Sequence, residues 1–297
     1  RGAQIQNHRV FLSVGHDEYW SGTQRANVEA ARDAGVHLAF FSGNEVFWKT
    51  RWETSIDGSG TPYRTLVSYK ETLAGAKIDP SPEWTGTWRD PRFSPPADGG
   101  RPENELTGTI FLVNDGPGGT ESIRVPAEDG RMRFWRNTSI ASLAPGTSAT
   151  LPFGVLGYEW NVDADNGFRP AGLVRLSSTT VQAGSVLQDF GGVYGPGTAN
   201  HALTMYRAPS GALVFGAGTV QWSWGLDAVH DRAGTPTDPR MQQATVNLLA
   251  DMNAQPATLQ PGLVAASAST DSVAPTSQIA APADGASLAL APIVISG

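Results

Sequence analysis

The sequence contains no cysteine among its 297 residues. That absence excludes disulfide bonds, thiolate metal sites and a cysteine nucleophile. Lysine is also scarce, with only Lys49, Lys70 and Lys77, and the formal charge is −7 with no basic cluster. Nucleic acid and anionic membrane surfaces are therefore not expected as partners. No apolar run approaches the roughly 20 residues that a membrane-spanning helix needs, so no membrane insertion is expected.

What the sequence does contain is typical of a globular chain. Hydrophobic residues make up 40% of it, and its length suits one large domain or two smaller ones. Scarce lysine, abundant small residues and nine tryptophans favour an extracellular location, with the cytoplasm as the alternative. The first residue is Arg1 rather than Met, so we expect further sequence upstream.

A strand–helix–strand unit is predicted near the beginning of the chain. Residues 9–15 form a mostly apolar run of the kind buried in a parallel sheet. Ser21 is a suitable N-cap for a helix predicted over residues 22–34. Residues 36–42 then predict a second buried strand that ends before Asn44, and the crossover should be right-handed.

The pattern changes to turns and short strands after this unit. Residues 50–104 predict long loops, and residues 105–195 predict a β-rich insertion or subdomain. Residues 201–218 predict a further strand pair, and an apolar stripe predicts a final helix over residues 239–253.

Three segments follow from these composition changes. Residues 1–255 are expected to form the main domain. Residues 256–274, which are rich in Ala, Ser, Thr and Pro, predict a linker. Residues 275–297 resemble the opening strands of a bacterial immunoglobulin-like repeat, cut short because a complete sandwich needs about seven strands.

Polar side chains follow each of the two predicted strands. His16 and Glu18 should project to one side of extended backbone and Asp17 to the other. They lie at the carboxyl end of a parallel strand, where ligands bind in open α/β sheets. A His and a carboxylate there can serve as metal ligand or general base. If the two strands are neighbours, Asn44 approaches the same edge and can bond a carbonyl or a water.

Each motif also has a plain structural interpretation. The acids of residues 16–18 suit a helix entry because they complement the helix dipole, and residues 43–44 suit a tight turn. Residues 161–167 faintly resemble a calcium loop. The glycine spacing and Gly172 in place of the usual glutamate disagree with the EF-hand pattern, so we interpret this segment as an Asx-rich turn.

Two motifs resemble one enzyme family. Residues 15–21 (GHDEYWS), the following helix and residues 40–45 (FFSGNE) resemble the C-terminal domain of the N,N-dimethylformamidase large (beta) subunit. That family hydrolyses dimethylformamide to dimethylamine and formate. The resemblance implies an α/β fold similar to class I glutamine amidotransferases, a flavodoxin-like and mostly parallel sheet with β-rich insertions. It also implies that the nucleophilic cysteine of those enzymes is absent, in agreement with the composition.

The resemblance further implies a site with one Fe(III) ion bound by two tyrosines and one glutamate. The glutamate ligand corresponds to Glu18, the catalytic histidine to His16, the asparagine to Asn44 and a further carboxylate to Glu159. In the family the tyrosine ligands precede the His-x-Glu motif. None of the first fourteen residues is Tyr, so we expect those ligands upstream of this chain.

The sequence therefore predicts part of an iron-dependent amidohydrolase that cleaves a small linear amide. The iron would polarise the carbonyl or acidify a water, and His16 would transfer protons. Asn44 would orient the carbonyl oxygen, and Glu159 would transfer a second proton or orient His16. One alternative is a non-catalytic, carbohydrate-binding module of a secreted multidomain protein. Another is a hydrolase with a different substrate, because a fold does not fix the substrate. The expected partners are a small amide or a glycan, and either further copies of this chain or a separate small subunit.

Overall fold

The computed structural model describes residues 2–92, 100–116, 118–232, 234–270, 276 and 278–296. The strands are β1 Val10–His16, β2 Tyr19–Ser21, β3 His37–Gly43, β4 Trp48–Glu53, β5 Thr65–Val67, β6 Ile110–Asn114, β7 Arg124–Pro126, β8 Ser148–Thr150, β9 Glu159–Val162, β10 Val174–Arg175, β11 Thr179–Leu187, β12 Tyr194–His201, β13 Thr204–Arg207 and β14 Leu213–Gly216. The α-helices are α1 Gly22–Asp33, α2 Glu71–Ala74, α3 Asn104–Thr107, α4 Ala127–Gly130 and α5 Pro239–Asp251. Short 3-10 helices cover Gly2–Asn7, Arg133–Trp135, Ser139–Ser142 and Trp222–Gly225.

The predicted strand–helix–strand unit is confirmed. Strands β1 and β3 are parallel neighbours along their whole length, from Val10 opposite His37 to His16 opposite Gly43. The connecting helix α1 begins at the predicted cap, where the Ser21 side chain accepts the backbone N–H of Gln24. The unit forms because its strand, cap and helix signals are all local in the sequence.

The prediction of a flavodoxin-like, amidotransferase-like parallel sheet is wrong. The sheet that contains β1 and β3 has the order β1-β3-β14-β13-β10, in which β14 runs parallel to β3 but β13 and β10 are antiparallel to their neighbours. A second sheet, β12-β11-β6-β9, is antiparallel throughout, and two smaller sheets have the orders β2-β4-β5 and β7-β8. Each parallel pairing needs a crossover, usually a helix. Of the α-helices in the described part of the chain, only α1 and α5 exceed four residues, so few helical crossovers are available and most of the remaining pairings are antiparallel.

The parallel strands β1 and β3 leave their sheet together and continue as a parallel pair in another sheet, β2 and β4. In between, the Val46 N–H donates to the Asp17 carbonyl, and the N–H groups of residues 47 and 48 donate to the Glu18 carbonyl. The stretch between β3 and β4 has four residues, whereas the stretch between β1 and β2 has two. Left-handed backbone at Asn44 (φ 50°) and Val46 (φ 57°) accommodates the extra length. Such backbone is rare for a β-branched residue and is strained.

Two hydrophobic clusters cover the two faces of β3, because alternate side chains of a strand point to opposite faces. On one face Phe41 packs in a cluster with Trp160 of β9 and Met241 of α5. On the other face Phe40 packs in a cluster with Val28 of α1. Strand β3 is thus buried on both sides and holds its carboxyl end in a fixed position.

The chain divides into two compact units, the first ending at Ser267 and the second beginning at Ala268. In the first, the Gln243 side chain exchanges two hydrogen bonds with the Val264 backbone. In the second, Ala281 and Ser296 form an antiparallel bridge. The immunoglobulin-like start stays a prediction, and part of it, residues 275, 277 and 297, lies outside the described residues. No helix in the described ranges is long and apolar enough to cross a membrane.

Candidate active site

Three of the predicted site residues meet at the carboxyl ends of β1 and β3. His16 is the last residue of β1, Asn44 directly follows β3, and Glu159 is the first residue of β9. One carboxylate oxygen of Glu159, Oε2, lies 3.0 Å from His16 Nε2 and accepts a hydrogen bond from Asn44 Nδ2 at 3.2 Å. Glu159 lies far from His16 and Asn44 in the sequence. The segment after β14 joins them, because its Thr219 N–H donates to the Ser42 carbonyl at the end of β3 and its Thr219 bridges Trp160 of β9.

Gly43 permits the close backbone approach that builds this cluster. A Cβ atom at residue 43 would lie 2.8 Å from the Val220 nitrogen, 2.9 Å from the Thr219 carbonyl carbon and 3.0 Å from the Glu159 carbonyl oxygen. All three are backbone atoms, which cannot move aside as a flexible side chain does. Glycine is therefore required where the end of β3 meets β9 and the segment after β14.

Asn44 is held by its backbone as well as by its side chain. Its N–H donates to Asn161 Oδ1 at 2.9 Å, and its backbone is left-handed, as the turn interpretation expected. The side chain nevertheless bonds Glu159, so the turn residue is also part of the cluster. Asn44 is only 2% exposed, and its Oδ1 atom has no partner among the described residues.

His16 and Glu159 have the electrostatics of an ion pair. The hydrogen bond to Glu159 raises the pKa of His16, against the opposing effect of burial. Burial acts to raise the pKa of Glu159, but hydrogen bonds from His16 and Asn44 outweigh it and lower that pKa below its ordinary value. The carboxylate can only accept, so Nε2 of His16 carries the proton between them. No hydrogen-bond partner of the other ring nitrogen, Nδ1, is seen in the described part of the chain, and the side chain is 46% exposed.

Glu18 lies beside this cluster. Burial and then the charge of Glu159 raise the pKa of the Glu18 carboxyl, while Lys70 and a hydrogen bond from Trp48 oppose the rise. Lys70 also lies over the Trp48 ring, 4.8 Å from its centroid. Asp17 is engaged elsewhere, because its Oδ2 atom accepts the Ser13 hydroxyl at 2.7 Å.

The predicted metal ligands are incomplete within this chain. Over the residues that the structure describes, no group of three or more His, Asp or Glu side chains is placed to hold a metal ion. Glu18 offers one anionic oxygen ligand of the hard type that iron(III) accepts. The described His, Asp and Glu side chains therefore do not by themselves form a metal site.

A cavity of about 220 Å³ opens beside His16. Its wall is formed by Gly15, His16, Tyr158, Val220, Gln221, Ser223, Trp224 and Asp231. The Tyr158 hydroxyl lies 3.4 Å from His16 Nε2, and the Arg232 guanidinium lies 4.7 Å from the Tyr158 ring centroid. Two larger cavities, of about 340 and 720 Å³, are lined by none of the predicted site residues.

The predicted site residues do not include Tyr158, Gln221 or Arg232. Tyr158 directly precedes Glu159, so its proximity could have been expected from that neighbour. Gln221 and Arg232 lie in the connection between β14 and α5, and only the tertiary structure brings this connection to His16. No local pattern distinguishes them from other loop residues.

The comparison with known families agrees with the motifs. A family model described as "N,N-dimethylformamidase beta subunit-like, C-terminal" matches residues 1–237. No curated protein matches the chain.

Proposed function

Because the chain belongs to the N,N-dimethylformamidase beta subunit-like C-terminal family, we propose that it contributes the proton-transfer groups of a hydrolase that acts on a small linear amide. The observation that carries this proposal is the Glu159–His16 pair at 3.0 Å. A partly buried carboxylate that holds one nitrogen of a more exposed histidine is the arrangement by which hydrolases orient a general base.

The pair determines which nitrogen reacts. Glu159 accepts the Nε2–H of His16, so in the neutral imidazole Nδ1 carries the lone pair. Nδ1 would take a proton from a water molecule while the oxygen of that water forms a bond to the amide carbonyl carbon. The resulting imidazolium, stabilised by Glu159, would return that proton to the amide nitrogen. The C–N bond then breaks, and the products are an amine and a carboxylic acid.

The cavity supports a small substrate. Its volume of about 220 Å³ is below the roughly 300–1,000 Å³ that is common for drug-sized ligands. The Tyr158 hydroxyl and the Ser223 side chain give it polar groups beside His16. These dimensions favour an amide of a few heavy atoms over a polymer chain.

From the same family membership we propose that the complete site contains iron, with Glu18 as one ligand. The family match and the position of Glu18 beside Glu159 support this. The residues present do not complete the coordination, so no step above depends on iron. Metal analysis of the purified wild-type protein and of Glu18→Ala tests it, and equal iron content in the two would remove the assignment.

Substitutions at the pair test the proposed reaction. His16→Gln and Glu159→Gln should each lower kcat for hydrolysis of a formamide by about 10²–10⁴-fold, the usual contribution of general acid–base catalysis. Release of amine and of formate should fall together. His8→Gln is the matched control, since His8 is exposed and lies outside the cluster. Wild-type activity in both site variants would exclude the proposed role.

A second candidate, glycan binding, is favoured by the cavity of about 720 Å³, where the exposed aromatic side chains of Trp52 and Tyr63 lie near Gln24 and Asn27. Aromatic faces beside amide side chains suit sugar rings, which have apolar faces and hydroxyl edges. Affinity electrophoresis in gels containing soluble polysaccharides tests this candidate. Retardation that is lost in Trp52→Ala but kept in His16→Gln would support it.

A further inference from the structure

A carboxyl group is buried directly behind the site. Glu45 follows Asn44 and is 0% exposed. Its Oε1 atom accepts a hydrogen bond from Asn161 Nδ2 at 3.1 Å and from Thr109 Oγ1 at 3.3 Å. Its Oε2 atom has no hydrogen-bond partner in the described part of the chain. The mechanism above does not use this group.

Hydrogen bonds connect Glu45 to the reacting histidine without a break. Asn161 Nδ2 donates to Glu45 at 3.1 Å and to Thr109 Oγ1 at 3.0 Å, and Asn161 Oδ1 accepts the Asn44 backbone N–H, 2.9 Å away. Asn44 in turn donates to the Glu159 oxygen that bonds His16. A change at Glu45 therefore reaches His16 through two amide side chains and one carboxylate.

The surroundings of Glu45 favour its neutral form. An ionised carboxylate with one unpaired oxygen is far costlier to bury than a neutral acid. Burial raises the pKa of Glu45 to about 8, and the charges of Glu103 and Asp17 add to the effect. Glu103 is itself paired with Arg89, so that cation does not neutralise Glu45.

We propose that Glu45 is a positioning residue, which as a neutral acid orients Asn161 and thereby holds Asn44 and Glu159 against His16. The consequence for catalysis rests on the proposed function. The positioning of Asn161, Asn44 and Glu159 does not rest on it, because the pKa of His16 can be measured without any substrate.

The first test follows the titration of His16 by NMR in the full chain. In the wild type the His16 pKa should lie above its ordinary value, because Glu159 bonds it. Glu45→Leu removes one of the two acceptors of Asn161 Nδ2 and leaves Thr109 Oγ1 as the other. The position of Asn161 is then less constrained, so Glu159 loses part of its support and the His16 pKa should fall toward 6.5. Glu45→Gln keeps the acceptor oxygen and should keep the wild-type value. Thr204→Val is the matched control, since Thr204 is fully buried and its hydroxyl also has no hydrogen-bond partner among the described residues.

The second test measures kcat/KM for a formamide across pH. Glu45→Leu should lower it by about 100-fold, the usual effect of displacing a reacting group by about 1 Å. Glu45→Gln keeps an acceptor oxygen for Asn161 and should keep the wild-type kcat/KM. Asn161→Leu should reproduce the defect. The double variant should be no worse than Asn161→Leu alone, because both changes break the same connection.

The outcomes separate the two proposals. If the wild type hydrolyses no amide but the His16 pKa falls in Glu45→Leu and not in Glu45→Gln, the proposed function fails and the positioning role stands. An unchanged His16 pKa in Glu45→Leu, or additive effects of the Glu45 and Asn161 substitutions, would overturn the positioning role. If Glu45→Leu does not fold, Asn161→Leu decides the question, because a wild-type His16 pKa and wild-type kcat/KM in that variant would overturn the positioning role.

Discussion

The burial of Glu45 makes a quantitative prediction about stability. The ordinary pKa of 4.5 rises to about 8 in the folded protein, and burial is the main cause. Between these values the folded state keeps a proton that the unfolded chain loses, so stability must fall as pH rises through this window. At 1.36 kcal/mol per pKa unit, the loss approaches about 5 kcal/mol by pH 8. The variant Glu45→Gln has no ionisable group there and escapes this loss.

The assay is urea unfolding of the wild type and Glu45→Gln at several pH values across that window. The stability of the variant relative to the wild type should grow by about 1.4 kcal/mol per pH unit and level off above about pH 8. Thr204→Val should differ from the wild type by an amount that does not change with pH, because it removes no titratable group. Parallel stability curves for the wild type and Glu45→Gln would refute the reasoning, since they would mean that Glu45 is ionised in the folded protein.

Other substitutions test the remaining features of the site and fold. Gly43→Ala should cost about 1–3 kcal/mol of unfolding free energy through overpacking and should lower activity, measured by urea unfolding and by formamide hydrolysis. The raised pKa of His16 and the lowered pKa of Glu159 make their pair most stabilising between the two values. Its contribution, measured as the stability difference from Glu159→Gln, should disappear in acid as Glu159 protonates and in alkali as His16 deprotonates. Glu71→Ala removes the acceptor of backbone N–H groups at residues 78, 79 and 85 and should make that loop the first site of limited proteolysis. Ser21→Ala should cost about 1 kcal/mol by removing the cap of α1.

The sequence predicted the part of the site that is formed by elements close together along the chain. The parallel pairing of β1 with β3 follows from strand, cap and helix signals within 35 residues, and it places His16 next to Asn44. The position of Glu159 came only from the family resemblance, because its strand β9 reaches the site through contacts with the distant segment after β14. The overall sheet was predicted incorrectly for the same reason. Short apolar runs do not reveal whether they pair in parallel or antiparallel.

The burial of Glu45 could not be predicted from the sequence either. A glutamate after Gly-Asn is usually exposed in a turn. Here the packing of Asn161 on β9 and Thr109 before β6 encloses it. Its altered pKa is therefore a tertiary property, and the same side chains that bury it also bond it.

The location of the site follows from the way the strands leave their sheet. While β1 and β3 run side by side, their side chains alternate and cannot converge. At Gly15, Asn44 and Val46 the backbone becomes left-handed, and the two strands turn from the first sheet toward β2 and β4. Because of this turn, the His16 and Asn44 side chains no longer follow the alternating pattern of a flat strand. Both point toward Glu159 of β9 in the four-stranded sheet. The left-handed residues thus lie where the sheet of β1 and β3, the sheet of β2 and β4 and the sheet of β9 approach one another beside Glu159. Val46→Gly relaxes the strain but removes a side chain that is 0% exposed in the cluster with Phe40, so it should lower the free energy of unfolding by about 2 kcal/mol, measured by urea unfolding. A Val46→Gly protein more stable than the wild type would show that the backbone strain outweighs the packing of this side chain.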